Sequence, residues 1–128
     1  MNRLRTLGLV LIALGIIEWS WAFFCVAGGG LLTVAGFADE RTSTLLWVGG
    51  GAYLVLAAVA SVLGLVHVVA GVQARKGKGL ILLIVSGGAC LVSMVFALYC
   101  FPFSIAALVY TIVVLVDADV RRVLGGEA

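Results

Sequence analysis

The chain has 128 residues, 64% of them hydrophobic and 11% charged, with a mean hydropathy of +1.29. A soluble domain carries about 25% charged residues, so this composition excludes an ordinary globular protein. The formal charge of +2, spread over short clusters rather than one stripe, excludes a nucleic-acid binder.

Four apolar runs account for most of the chain, and they predict membrane spans at about residues 4–27, 45–72, 80–99 and 103–116. A helix of about 20 apolar residues crosses the hydrocarbon core with its backbone hydrogen bonds satisfied internally. The start resembles a signal peptide in its basic and apolar segments. Glu18-Trp19-Ser20-Trp21 stands where a small-residue cleavage site would be, however, so an uncleaved anchor is expected. Gly28-Gly29-Gly30 weakens the first helix and is expected to mark its end, with the apolar stretch from Leu31 to Phe37 either projecting or folding back. A polar loop follows, from Asp39 to Thr44, in which Ser43 or Thr44 caps the second span. Arg75-Lys76-Gly77-Lys78-Gly79 forms a basic turn between the second and third spans. Pro102 suits the connection to the fourth, and Asp117 to Arg122 closes that span ahead of a short tail.

With four spans, Arg3, Arg5, Arg75, Lys76, Lys78, Arg121 and Arg122 share one side of the membrane, and Arg41 stands alone on the other. The positive-inside rule then places both termini in the cytoplasm, with Trp47 and Tyr99 near the outer interface. Arg75, Lys76, Lys78, Arg121 and Arg122 would face anionic headgroups of the inner leaflet, and Asp117 and Asp119 would pair with Arg121 one turn on. Small residues in Ala57-x-x-x-Ser61, Ala60-x-x-x-Gly64 and Gly87-Gly88-Ala89 would let helices approach closely.

Glu18 is the one charged residue inside a run. Counted from Arg5 it lies roughly 20 Å from the basic end, near the bilayer centre, where an unpaired charge is costly. By the same count Ser61 and Ser93 are level with it, while His67 and Tyr110 lie roughly one helical turn nearer the basic end. Glu18, Ser61, His67, Ser93 and Tyr110 are therefore the candidate intramembrane polar site. Cys25 and Cys100 both approach the outer interface, where an oxidising compartment permits a disulfide, and Cys90 is a mid-span packing residue. The three cysteines form no C-x-x-C pair and have no ligand cluster around them, so no metal or cofactor is expected.

The segment from His67 to Gly79, with its Gly71-Val72-Gln73-Ala74-Arg75 turn, and Tyr110 to Leu115 resemble small four-span bacterial membrane proteins of unknown function. A first-span glutamate in a short four-span chain also resembles the small multidrug resistance transporters, although bulky Ile17, Trp19 and Trp21 flank Glu18 where those carry small and polar residues. The expectation is an all-α membrane protein, a four-transmembrane-helix bundle in a bacterial inner membrane, non-enzymatic, with the lipid bilayer as its surroundings. It would act through helix packing, as a homo-oligomer or as an accessory subunit of a membrane-protein partner. The rival expectation is a small proton- or cation-coupled transporter or oligomeric channel that uses Glu18.

Overall fold

The computed structural model describes residues 2–38, 41–96 and 101–125. The described residues form five helices: α1 (Asn2–Ala38), α2 (Ser43–Arg75), α3 (Leu80–Phe96), α4 (Phe101–Val116) and α5 (Ala118–Gly125). Both α1 and α2 are long and apolar enough to cross a membrane. The apolar α3 has 17 residues, and α4 with α5 would make a further span only as a pair bent by 85°. Asp39, Glu40, Tyr99 and Cys100 lie outside the described residues, and with them the first two residues of the expected outer loop, the end of the third span and the Cys25–Cys100 bridge.

α1 continues through Gly28-Gly29-Gly30, where its end was expected, and reaches Ala38, so that Leu31 to Phe37 project as helix rather than folding back. A tertiary contact compensates for the weak local propensity: a Cβ at Gly29 would sit 3.0 Å from the Gly50 carbonyl oxygen, so the two backbones touch there. The same contact recurs along the pair, with the Gly8 and Gly71 backbones in register and Gly15 against Gly64. Gly8, Gly15, Ala22, Gly29 and Gly36 recur every seven residues on α1, and Gly50, Ala57, Gly64 and Gly71 do so on α2. All are buried. A seven-residue repeat keeps one seam facing the partner over a long run, as in a coiled coil, and small residues at the seam replace side-chain knobs by direct backbone approach. α1 and α2 thus form a tight antiparallel hairpin, the most extensive interface in the molecule.

Thr42, one residue earlier than the expected cap, is the N-cap of α2. At the other end Gly77 takes a left-handed φ of 68°. Its N–H donates to the Ala74 carbonyl and that of Lys78 to the Gln73 carbonyl, the paired bonds of a Schellman turn. α3 then runs back along α2, and α4 packs on α3 and α1.

The sequence reading made residues after Val116 a polar end and a tail. Ala118–Gly125 form α5 instead, turned across the end of the bundle. Asp117 makes the corner. Its Oδ1 accepts from the Asp119 N–H at 3.1 Å, capping α5, and its Oδ2 accepts from Arg3 Nη1 at 2.8 Å, fastening the start of α1. The expected Asp117–Arg121 ion pair does not form: Arg121 Nη2 donates to the Val116 carbonyl at 3.2 Å, occupying one of the orphan acceptors at the end of α4. Val120 and Leu124 turn inward onto Leu4, Leu7, Leu11, Ala70, Ala74, Leu83 and Val114, the apolar core at this end. Leu14, Cys90 and Ala107 form a smaller core above it, directly beneath the polar site.

Candidate functional site

Glu18 occupies a buried seven-residue row of α1 shared with Leu4, Leu11 and Cys25, and His67 a corresponding row of α2 with Ala60 and Ala74. The fold therefore turns both polar side chains into the bundle at positions otherwise held by apolar or small residues. Glu18 is 1% exposed, His67 and Ser93 0%. His67 Nδ1 and Glu18 Oε2 share a hydrogen bond of 2.7 Å, and the Ser93 hydroxyl donates to Glu18 Oε1.

The backbone depth count put His67 a turn away from Glu18. Side-chain direction closes the gap. A helical side chain leans toward its own N-terminus, and α1 and α2 are antiparallel, so Glu18 leans toward the basic end while His67 leans up to meet it. Ser61, level with Glu18 by count, leans the other way and is exposed. Its hydroxyl donates to the Ala57 carbonyl at 2.8 Å, and its own carbonyl accepts from Trp19 Nε1 at 3.1 Å. The Trp19 ring lies over Gly64, where a Cβ would come within 2.5 Å of it. Tyr110 packs at the edge of the apolar core at the basic end, away from this group.

His67 Nε2 faces two groups of α3, the Ser86 carbonyl oxygen at 3.3 Å and Cys90 Sγ at 3.4 Å. Bearing a proton, it donates to the carbonyl; bare, it accepts from the thiol. Cys90 was read from the sequence as mere packing, and nothing in its apolar surroundings there signalled a polar contact. With Nε2 protonated, Glu18 and His67 together are net neutral whether the shared proton sits on oxygen or nitrogen, which avoids the cost of a lone charge inside a membrane-length bundle. The neighbouring cavity, lined by Glu18, Trp21, Leu56, Ala60 and Phe96 among others, holds about 10 Å³, room for about one water.

No family model matches this chain, and no curated protein or solved structure is significantly similar to it. The geometry alone therefore carries the reading. Chemically the site joins three helices, since Glu18 belongs to α1, His67 to α2, and Ser86, Cys90 and Ser93 to α3. No group of three or more His, Cys, Asp or Glu side chains among the described residues is placed to hold a metal. Cys25 is a buried thiol on the far side of Glu18 from Leu11.

Two buried hydroxyls, of Ser86 and Ser104, have no hydrogen-bond partner among the described residues. An unsatisfied buried hydroxyl costs about 1–3 kcal/mol. Ser104→Ala is therefore expected to leave unfolding in detergent unchanged or raise stability by about 1 kcal/mol, whereas Ser93→Ala, which strips a donor from Glu18, lowers it by a similar amount. Circular dichroism during denaturant titration reads both, and a Ser104→Ala protein less stable than Ser93→Ala would contradict this assignment.

Proposed function

We propose that the protein is a four-span helical bundle of a bacterial inner membrane, with both termini cytoplasmic, and that it acts without catalysis, through lateral helix association as a self-associating or accessory subunit. One observation carries this reading: both carboxyl oxygens of Glu18 are bonded within the bundle, to His67 and Ser93, beside a cavity of about 10 Å³. The intramembrane acid is thus committed to holding α1, α2 and α3 together. The surface left for action is the outer wall, where Phe23, Phe24, Leu31, Val34 and Leu45 are each more than 60% exposed.

A second reading has its own observation. His67 bridges Glu18 to Cys90 and the Ser86 carbonyl, a short chain along which a proton could shift, as a small proton-coupled transporter would need. Reconstitution at one protein per vesicle and at higher density separates the two. The association reading expects stepwise photobleaching to show more than one subunit per particle and vesicles to hold a pH gradient as well as empty ones do. Proton flux in the native protein that is lost in Glu18→Gln would replace it by the transport reading.

A further inference from the structure

The end of the molecule where α1 begins carries two clefts of opposite character. The larger, about 550 Å³, is lined by Asn2, Arg3, Asp117 and Asp119 among others. It supplies its own counter-charges, with Arg3 at 2.8 Å from Asp117 and Arg122 at 3.9 Å from Asp119. The second, about 400 Å³, lies between α1 and α2 and is walled by Arg5, Val72, Arg75 and Lys76. Its wall contains no carboxylate. Among the described residues none of its cations makes an ion pair or side-chain hydrogen bond.

Capping of α2 does not explain this cluster. The Gln73 and Ala74 carbonyls are already taken by the backbone N–H groups of Lys76, Gly77 and Lys78. Nor is Arg75 free to turn away, because its stem lies across Gly8, where any Cβ would collide with its Cγ. The glycine seam that joins the two helices therefore also seats an arginine beside Arg5. The cleft floor is Val72, an apolar residue 40% exposed, one helical turn before Lys76. Clustered cations above an apolar floor, at the end of two membrane-length helices, match a phosphate that arrives attached to acyl chains.

We propose that Arg5, Arg75 and Lys76 bind the phosphate of an anionic phospholipid, with Val72 against its glycerol and first acyl carbons. This rests on α1 and α2 lying in a membrane, and is independent of oligomeric state and of which side the termini face. The Arg121 and Arg122 side chains, expected from sequence to share this role, lie outside the cleft, on α5.

The test titrates the detergent-solubilised full chain with phosphatidylglycerol, phosphatidylcholine and inorganic phosphate in separate arms, read by native mass spectrometry. Saturable phosphatidylglycerol binding is expected, with the other two at least about tenfold weaker. R5Q/R75Q/K76Q should lose about 100-fold, from about fivefold per basic side chain, while R121Q/R122Q stays within about twofold. Lys76→Glu alone, at the exposed rim, leaves the Arg75–Gly8 contact intact and should lose at least about tenfold, so the proposal is testable even if the triple variant misfolds. Unchanged phosphatidylglycerol binding in Lys76→Glu would overturn the site. An equal loss in R121Q/R122Q would reduce it to general surface charge, and inorganic phosphate or phosphatidylcholine binding as tightly would overturn the anionic-lipid assignment.

Discussion

His67→Leu is expected to destabilise the protein by about 3–5 kcal/mol, because it leaves Glu18 buried with its Oε2 unpaired. Glu18→Leu should cost nearly as much by stranding the imidazole. The double variant is the informative one. With both groups replaced by apolar side chains of similar volume, no polar atom of the pair is left unsatisfied, and stability should recover to above that of either single variant. Unfolding of the three variants in mixed micelles with increasing SDS, followed by helical circular dichroism, gives the cycle. If the double variant loses the sum of the two single losses, the residues do not act as a pair.

The second large effect lies in the α1–α2 seam. Gly15→Ala would bring a Cβ to 2.7 Å from the Gly64 carbonyl oxygen, and Gly71→Ala to 2.6 Å from that of Gly8. Backbone cannot move aside as a side-chain tip can, so each substitution should cost about 1–3 kcal/mol or more by forcing the helices apart. Gly30 and Gly51 provide the control, since nothing lies within 4 Å of a Cβ built there. Alanine at either should raise stability by up to about 1 kcal/mol, through better helix propensity alone. The contrast is between glycines on the same two helices, so differing detergent or expression does not produce it. Equal effects at all of these positions would remove the seam as the explanation.

The helical, membrane-length character of α1 and α2 could be read directly from composition and run length, and Glu18 stood out as the lone charge within a run. Ser93 was placed beside it by depth alone, since α1 and α3 run in the same direction and both side chains lean the same way. His67 stands about one turn from Glu18 in backbone height, and the opposed lean of side chains on antiparallel helices, which backbone height does not contain, brings the two together. The glycine seam was present in the spacing of Gly8, Gly15, Gly29 and Gly36. Its seven-residue period is not the four-residue spacing of the common close-packing motifs, of which Ala57-x-x-x-Ser61 pairs a buried residue with an exposed one. α5 was hidden by its length: eight residues, three of them charged, are too few for periodicity to stand out beside the long apolar runs, and what orders them is the Asp117 corner and a core that only the fold assembles.

The length of the α1–α2 hairpin has a mechanical consequence for any bilayer that it crosses. At 1.5 Å per residue α1 measures about 55 Å and α2 about 50 Å. Burying all of α1 in a hydrocarbon slab about 30 Å thick would need a tilt of about 57°, beyond the 0–40° that membrane helices adopt. In a bilayer that both helices cross, the hairpin would therefore stand proud of the slab. Hydrophobic mismatch is thus built into the pair: lipid that thins uncovers more of the apolar hairpin, and lipid that thickens covers more of it.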